Sequence, residues 1–438
     1  MKTAANAQLA DWIAWLEQLN PDRIELGLQR VRCVWEQLER RIDSTVITVG
    51  GTNGKGSVVA MLEQVLLAAG HSVVAYTSPH LLRFNERIRI NASDVDDAAL
   101  VHAFNRVAAA QTAAAIKLTY FEFTTLAALW LITEQQPEVA LLEVGLGGRL
   151  DAVNIIDADA AVITSIGLDH MQWLGNTRAA IAAEKVAIAR PGRLLVCGEP
   201  DPPTVISRQA AALEVQLLQI GVDFALEPTT DAVTGADQYR FTADWLLADL
   251  GLPQLAMPGQ HQRNNSACVL TLLTAPQSPL VVNDLPAAVT SLAATSLIGR
   301  QQVLRQQPLL LLDVAHNEQS VAALVATLQS AACHGRTWIV LAMLADKDIN
   351  AVVHELRPIA DHWLLPEIPA PRALPAQRLR HMLLTQGVAA AVITLHEDVL
   401  AATNSALQQA QSDDRIVVLG SFITAAALLT HVELIDGL

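Results

Sequence analysis

The sequence has few cysteines and no long apolar run. These two shortages argue against a disulfide-stabilised protein, a cysteine metal site and a membrane-spanning protein. Its four cysteines, at positions 33, 197, 268 and 333 of 438, are widely scattered. They show neither metal-ligand spacing nor a disulfide framework, so we expect reduced thiols. No apolar run reaches about 18 residues, so no segment is expected to span a bilayer. Residues 1–11 lack the basic flank and apolar core of a secretory signal, and a cytoplasmic location is expected.

Charged residues are also scarce, at 17%, whereas hydrophobic residues make up 52%. This balance is typical of a well-packed globular protein and excludes a disordered chain. The net charge of −15 argues against general affinity for nucleic acid or anionic membranes, although a local basic pocket can still bind a small anion. A chain of this length usually exceeds one hydrophobic core, so two domains are expected.

The most informative segment is Val46–Ser57, which reads VITVGGTNGKGS. A β-branched strand leads into a glycine loop, a lysine and a hydroxyl, and an apolar run typical of a helix follows. This order builds a phosphate cradle, because glycines let backbone N–H groups approach phosphate oxygens while the helix N-terminus and Lys55 add positive potential. Ser57 can offer its hydroxyl to Mg²⁺. The spacing departs from the standard P-loop at Val49 and Gly56, so a glycine turn without ligand is the alternative.

From residue 46 onward, short apolar runs alternate with helical patterns, which predicts a parallel sheet covered on both faces. Residues 222–257 alternate polar and apolar side chains, which predicts a small antiparallel excursion. We expect a domain boundary near 296–300, after which the alternation restarts and predicts a second α/β layer. The predicted strands of the first domain are Val46–Val49, Ser72–Tyr76, Val139–Val144, Ala160–Ser165 and Leu194–Cys197.

Polar residues follow the second predicted strand. The carboxyl ends of parallel strands form the edge where ligands bind, so Ser78 and His80 are expected to point toward the phosphate loop. Arg83, Arg87 and Arg89 come next and can meet anionic substrate groups. For any one of these arginines, a solvated surface position is as plausible as a substrate contact.

Glu143 ends the third predicted strand. A carboxylate at the tip of an apolar strand is costly unless it is paired or bound to a cation. Near a nucleotide phosphate the natural partner is Mg²⁺, and a helix N-cap or an ion pair is the alternative. The next predicted strand along the chain is followed by His170, so a shared metal is plausible.

A lysine and a second acid–histidine pair complete the candidates. Lys185, on a predicted helix, has the wrong charge to face a magnesium site. It is therefore a phosphate contact, an exposed residue, or a lysine converted to a carbamate. In the second domain Asp313 and His316 lie at a strand tip, where Asp313 and Arg300 can grip a nucleotide.

Together these motifs resemble the folylpolyglutamate synthase family, within the wider group of ATP-dependent Mur-type ligases. The resemblance implies an α/β fold with an N-terminal Mur-ligase-like P-loop ATPase domain, residues 1–297, and a smaller Rossmann-like domain, residues 298–438. The matching segments are Gly51–Ser57, Thr77–Ile90, Thr119–Glu122, Glu143–Asn154, Ser165–His170, Glu184-Lys185, His261-Gln262 with Asn265, Gly299-Arg300, Asp313–Asn317, Met343–Asp348 and Gly420–Phe422. They run in order across nearly the whole chain.

The resemblance also implies an activity. ATP phosphorylates a substrate carboxylate, the amino group of L-glutamate attacks the acyl phosphate, and phosphate leaves as an amide forms. The stretch Glu25–Leu28 with Arg30, together with Ser78–His80, is similar to the bacterial bifunctional members. Those enzymes make dihydrofolate from 7,8-dihydropteroate and extend tetrahydrofolate with further glutamates. A monomer is expected.

By the same resemblance, residues receive roles. Mg²⁺ is expected at Ser57, Ser78, Glu143 and His170, with K⁺ as a further candidate ion, and Lys185 is expected to be N6-carboxylysine. The expected catalytic residues are Lys55, Lys185, Asp313 and His316. The expected ATP contacts are Thr52, Asn53, Gly54, Lys55, Gly56, Ser57, Asn265, Arg300 and Asp313. The expected pteroate contacts are Glu25, Leu26, Gly27, Leu28, His80, Thr119, Tyr120, Phe121, Glu122, Leu150, Asp151 and Ala152.

Two departures from the family pattern flank these residues, since Val314 replaces a usual glycine and Ile298 a usual proline. Both replacements are apolar, so we expect shifted packing more than lost chemistry. Three alternatives stay open: folylpolyglutamate synthesis alone, a Mur-type ligase acting on a cell-wall precursor, and a nucleotide-binding regulatory module without turnover. The last predicts missing metal ligands, yet Glu143 and His170 are both present.

Overall fold

Three β-sheets organise the computed structural model, which describes residues 8–19, 25–230, 237–331 and 333–435. Residues 1–7, part of the segment without signal features, lie outside this description. The chain divides into two units: residues 1–256 with 263–295, and residues 257–262 with 296–438. Among the helices within the described ranges, none is both long enough and apolar enough to cross a membrane.

The first unit is built on an eight-stranded sheet with the order β4-β3-β2-β5-β1-β6-β7-β8. Its strands run parallel from β2 to β8, as predicted, but the edge strands β3 and β4 are antiparallel. A tight turn at residues 91–92 joins β3 to β4, and the loop 77–87 joins β2 to β3; antiparallel neighbours of this kind need no crossover helix. The strands are β1 (Thr45–Gly50), β2 (Val73–Tyr76), β3 (Ile88–Ile90), β4 (Ser93–Asp94), β5 (Val139–Glu143), β6 (Ala160–Ile163), β7 (Leu194–Cys197) and β8 (Gln216–Gln219).

Helices connect these strands because apolar strands buried on both faces need cover. In the centre of the sheet, Ile47, Leu141 and Val162 are fully buried. The helices are α1 (Leu9–Gln18), α2 (Gln29–Leu38), α3 (Lys55–Ala68), α4 (Asp97–Ala114), α5 (Tyr120–Gln135), α6 (Met171–Leu174), α7 (Arg178–Val186), α8 (Val205–Ala212), α9 (Gln260–Thr274) and α10 (Leu285–Ala294).

Helix α5 begins at Tyr120, four residues before the start at Thr124 that hydrophobic periodicity predicts. A capping box explains the extra turn. The Thr119 hydroxyl accepts a hydrogen bond from the Glu122 N–H at 3.3 Å, and the Glu122 carboxylate accepts one from the Thr119 N–H at 2.8 Å. This Thr-x-x-Glu signature satisfies two N–H groups that the first helical turn leaves unpaired.

The predicted antiparallel excursion is present as a three-stranded sheet. It consists of β9 (Phe224–Thr230), β10 (Asp237–Ala243) and β11 (Leu250–Leu252), with β10 in the middle. Both of its strand pairs are antiparallel.

The second unit is a six-stranded sheet with the order β12-β13-β17-β14-β15-β16, parallel except for β12 at one edge. The strands are β12 (Gln302–Gln306), β13 (Leu309–Leu312), β14 (Thr337–Leu341), β15 (His362–Pro366), β16 (Ile393–His396) and β17 (Arg415–Leu419). The helices are α11 (Glu318–Ser330), α12 (Ile349–Leu356), α13 (Ala376–Thr385), α14 (Val399–Gln409) and α15 (Phe422–Leu429). The second α/β layer is therefore confirmed.

The core of the second unit depends on Trp363, whose side chain is 2% exposed and packs in its main hydrophobic cluster. We predict that Trp363→Ala lowers the free energy of unfolding of this unit by about 3–5 kcal/mol, because it removes a large buried side chain and leaves a cavity. Leu395→Ala on β16 is the control, since Leu395 is 44% exposed and its loss should cost at most about 0.5 kcal/mol. Urea unfolding followed by circular dichroism measures both; equal losses would contradict the assignment of the core.

Candidate active site

The phosphate loop lies between β1 and α3, as the sequence predicts. Gly51 to Gly54 form the turn and Lys55 is the first residue of α3. The Lys55 ammonium donates to the carbonyl oxygens of Gly51 and Thr52, each at 3.2 Å. Its charge therefore lies against the loop, where it adds to the positive potential of the α3 N-terminus.

The end of β6 holds this loop in shape. The Thr164 hydroxyl donates to the Asn53 carbonyl at 2.6 Å, and the Thr52 N–H donates to the Ser165 carbonyl at 2.8 Å. Gly51 has φ +148°, and a Cβ there would lie 1.9 Å from the Thr164 hydroxyl oxygen. Only glycine satisfies both conditions.

Helix α9 brings Asn265 to the same loop. A Cβ at Gly54 would lie 2.8 Å from the Asn265 side-chain oxygen. The structure therefore brings together Gly54 and Asn265, two residues that are predicted to contact ATP and lie far apart in the sequence.

Glu143 and Ser78 meet at the ends of β5 and β2. The Ser78 N–H donates to the Glu143 carboxylate at 3.2 Å, and Glu143 is only 4% exposed. In the sheet, Glu143 is opposite Val49 of β1, immediately before the phosphate loop. Ser57, 1% exposed, lies in the first turn of α3. Three of the four predicted metal ligands thus belong to elements that border the loop.

His170, the fourth predicted ligand, follows β6 and begins helix α6 with φ 50°. Its side chain is 40% exposed, and its Nε2 lies 4.0 Å from an Asp169 carboxylate oxygen. No group of three His, Cys, Asp or Glu side chains in the described ranges could hold a metal ion alone. The donors at the loop are the Glu143 carboxylate and the hydroxyls of Ser57 and Ser78, and His170 is the predicted fourth ligand. This set fits Mg²⁺, which takes one or two carboxylates and completes its shell with water and substrate phosphates.

Lys185 lies inside the protein, 4% exposed, on helix α7. Its Nζ donates to the Gly51 carbonyl at 2.7 Å, so the lysine contacts the phosphate loop directly. Burial lowers the pKa of Lys185 to about 7, and repulsion from Lys55 adds to the effect. A large fraction of Lys185 is therefore neutral at physiological pH, unlike an exposed lysine.

A bracket of hydrogen bonds holds helix α7 and the loop that precedes His170. The Arg178 guanidinium donates to the Ile166 carbonyl at 3.0 Å and to the Glu199 carboxylate at 3.1 Å. The other Glu199 oxygen accepts from the Ile166 N–H at 2.7 Å. The sequence did not predict the roles of Arg178 and Glu199, because no local pattern around either residue indicates a partner more than twenty residues away.

Phe121, one of the predicted pteroate residues, lies next to Gly145 and Tyr76. Its ring lies so close to Gly145 that a Cβ there would be 2.4 Å from the ring, and the Tyr76 ring centroid is 6.3 Å away. The Asp151 carboxylate accepts from the N–H groups of Leu146 and Val153, at 2.7 and 2.9 Å. Burial raises the pKa of Asp151 to about 6.

His80 lies beside Phe84, with 5.8 Å between the two ring centroids. The Arg87 Nε donates to His80 Nδ1 at 2.8 Å, which leaves Nε2 as the position for a proton. Burial, with repulsion from Arg87, lowers the pKa of His80 to about 4. The imidazole is therefore neutral at physiological pH and presents an N–H donor at Nε2.

Glu122 is already committed to protein partners. Besides its capping bond to Thr119, its carboxylate accepts from Arg30 at 2.8 Å, and Arg30 also pairs with Glu25 at 3.2 Å. Through these two ion pairs, Arg30 attaches the segment before α2 to the start of α5. Whether Glu122 also touches a substrate stays a prediction. The remaining predicted contacts lie on these segments: Leu26, Gly27 and Leu28 precede α2, Tyr120 begins α5, and Leu150 and Ala152 flank Asp151.

In the second unit, Asp313 follows β13. Its carboxylate accepts from the N–H groups of Gln301 and Ala315, at 2.8 and 2.7 Å. Burial raises the pKa of Asp313, and Arg300 opposes the rise. His316 Nδ1 is 2.9 Å from the Val314 carbonyl.

The two departures lie in different surroundings. Val314 is 4% exposed and its N–H donates to the Gly299 carbonyl at 3.0 Å. Ile298 is 52% exposed. Neither side chain displaces the hydrogen bonds that hold Asp313.

Known protein families match both parts of the chain. The Mur ligase middle domain matches residues 49–273, and the glutamate ligase domain of Mur ligases matches residues 299–422. A relative from Escherichia coli (strain K12), named dihydrofolate synthase/folylpolyglutamate synthase, is 37% identical over 99% of this chain and 97% of its own length.

Solved structures agree. Escherichia coli FolC in complex with DHPP and ADP has a TM-score of 0.90 at 35% identity, over 99% of each chain. A bifunctional folylpolyglutamate synthase/dihydrofolate synthase from Yersinia pestis, complexed with AMPPNP and a Mn ion, has a TM-score of 0.88 at 39% identity, over 99% of this chain and 100% of that one. The chain therefore belongs to the Mur ligase family and, within it, to the dihydrofolate synthase/folylpolyglutamate synthases.

Proposed function

We propose that this protein is an ATP-dependent ligase that joins L-glutamate to 7,8-dihydropteroate, giving dihydrofolate, and adds further glutamates to tetrahydrofolate. The observation that supports it most is the meeting of three features at Gly51: the phosphate loop, the buried Lys185 and the adjacent Glu143–Ser78 pair. The names and ligands of the relatives described above support the choice of substrates.

The reaction proceeds through an acyl phosphate. The acceptor carboxylate attacks the γ-phosphorus of ATP and ADP leaves; the glutamate amine then attacks the acyl carbon, loses a proton and expels phosphate. Negative charge spreads over the transferring phosphoryl oxygens. The N–H groups of residues 54–57, at the start of α3, and the Lys55 ammonium are fixed donors for that charge, so they stabilise the transition state without reorganisation.

A divalent cation fits the oxygens that border the loop. We assign Mg²⁺ to Ser57, Ser78, Glu143 and His170, where it would neutralise phosphate charge when bound. Glu143 is suited to this because its carboxylate is buried at the end of β5 and accepts from a neutral donor, the Ser78 N–H. K⁺ as a further ion, and the monomeric state, stay predictions.

Lys185 is proposed to be carboxylated. A neutral amine can attack CO₂, forming a carbamate and releasing one proton, and the lowered pKa of Lys185 keeps much of the amine neutral. The product is an anion at the position of a cation, which removes the repulsion between Lys185 and Lys55.

We propose a division of labour between residues 1–297, which bind ATP and the pteroate, and residues 298–438, which act on glutamate. Arg300 and Asp313 are assigned to the nucleotide, and His316 to the phosphate and glutamate. All four cysteines are free thiols, in keeping with the cytoplasm, where thiols stay reduced.

The function is tested by ADP release with Mg-ATP and glutamate. We expect release with 7,8-dihydropteroate and with tetrahydrofolate, and none when glutamate is omitted. Mass spectrometry should show a product heavier by one glutamyl group. Release with tetrahydrofolate alone would restrict the enzyme to chain extension, and silence with both acceptors would refute the proposal.

The carbamate is tested by Lys185→Ala. We expect loss of ligation and partial recovery when acetate or formate is added, because a small carboxylate can take the place of the carbamate. In the unmodified chain, at a fixed concentration of dissolved CO₂, CO₂-depleted enzyme should be reactivated faster at pH 8 than at pH 6, since the neutral amine grows from about 10% to about 90% across a pKa of about 7. Lys117→Ala, an exposed lysine, is the control. Full activity of Lys185→Ala without additives would exclude the role.

The metal assignment is tested by Glu143→Gln, which keeps the shape and removes the charge. Turnover should fall by about 100-fold or more, and the magnesium concentration for half-maximal activity should rise. Glu138→Gln, immediately before the same strand, is the matched control, because the Glu138 side chain is 60% exposed. An unchanged magnesium titration for Glu143→Gln would remove this residue from the metal site.

A further inference from the structure

Arg83, Arg87 and Arg89 look alike in the sequence, but the structure separates them. Arg83 is 65% exposed and lies 3.5 Å from the Asp97 carboxylate. Arg89 donates to the buried Glu63 carboxylate at 2.8 Å. Arg87 is 7% exposed, and no carboxylate of the described ranges pairs with it. Of the three, Arg87 is therefore the buried arginine without a carboxylate partner in the described ranges.

The Arg87 side chain contacts the neutral imidazole of His80 and the aromatic faces of Phe84 and Tyr120. Its Nε donates to His80 Nδ1 at 2.8 Å. The guanidinium carbon lies 5.4 Å from the ring centroids of Phe84 and of Tyr120. Its two terminal nitrogens donate to no acceptor in the described part of the chain. The guanidinium is thus held in place from one side and keeps four N–H donors for another molecule.

Such an arrangement is costly unless an anion completes it. Arginine is almost never fully buried without a partner, because removing its charge from water must be offset. Cation–π contacts offset part of the cost. His80 cannot supply negative charge, since it accepts the hydrogen bond through a neutral nitrogen. A bound anion would supply it, and a guanidinium matches the two oxygens of a carboxylate.

We propose that Arg87 is the specificity residue that binds a carboxylate of the pteroate-type acceptor. The inference rests on the proposed function. Its support is the position of Arg87 among residues that the pteroate is expected to contact: it touches His80 and Tyr120, and Tyr120 adjoins Phe121. Dihydropteroate and tetrahydrofolate both have a carboxylate, on the aryl ring in one and on the glutamyl tail in the other, so one guanidinium serves both acceptors.

The test compares two ligands on two arginine variants. One ligand is 7,8-dihydropteroate, and the other is the same molecule with hydrogen in place of the carboxylate. Binding is measured by calorimetry with a non-hydrolysable ATP analogue and Mg²⁺ but without glutamate. In Arg87→Met we expect about 10- to 100-fold weaker binding of dihydropteroate, and a change below about twofold for the ligand without carboxylate. Arg83→Met, on the same loop, should change neither affinity.

A structural role for Arg87 would give a different pattern. If Arg87→Met weakens both ligands equally, the residue orders the loop or contacts the pterin, and the proposal is overturned; unchanged binding of dihydropteroate overturns it too. Arg87→Gln provides a second neutral variant, and thermal unfolding shows whether each variant is folded. ADP release by the unaltered enzyme is measured in parallel, so a failure of the proposed function appears there, whereas a failure of this inference appears only in the variants.

Discussion

The contact between the Lys185 ammonium and the Gly51 carbonyl constrains the whole first unit. Two lysines donate to that single oxygen, Lys185 at 2.7 Å and Lys55 at 3.2 Å. Two cations at one acceptor repel each other, so the surroundings must hold them together. The Thr164 hydroxyl holds the phosphate loop through the Asn53 carbonyl, and the hydrogen bonds of Arg178 and Glu199 hold helix α7. Burial, with repulsion from Lys55 as the second cause, lowers the pKa of Lys185, which suits its amine to the proposed reaction with CO₂.

The carboxylates among the residues proposed to bind the acceptor differ from this pair of lysines, because protein partners already satisfy them. Glu122 is used by a helix cap and by Arg30, and Asp151 by two backbone N–H groups. These carboxylates fix the backbone segments on which the proposed acceptor contacts lie. The partly exposed rings of Tyr120 and Phe121, both proposed to contact the acceptor, offer apolar surface suited to a flat heteroaromatic ligand.

The central strands and the phosphate loop could be predicted from the sequence, because both depend on local patterns: β-branched runs, glycines and a lysine at fixed spacing. Antiparallel pairing of β3 with β2 was not predictable in this way, since it depends on how the loop of residues 77–87 folds back at the sheet edge. The ion pair between Arg178 and Glu199 was not predictable either, because the two residues meet only in the folded chain, at the start of α7 and after the end of β7. The arginines at 83, 87 and 89 make the limit clear. Their chemistry is identical, and only burial and neighbouring carboxylates, which are tertiary properties, distinguish them.

The closeness of Phe121 and Gly145 has an evolutionary consequence. Since a methyl group at 145 would overlap the ring, the two positions cannot diverge independently. A larger residue at 145 becomes acceptable only in a lineage that has already shortened residue 121. A shorter residue 121 in turn leaves a gap that favours retaining the larger neighbour. The order of substitutions is therefore restricted, and descendants that cross this step find it hard to reverse.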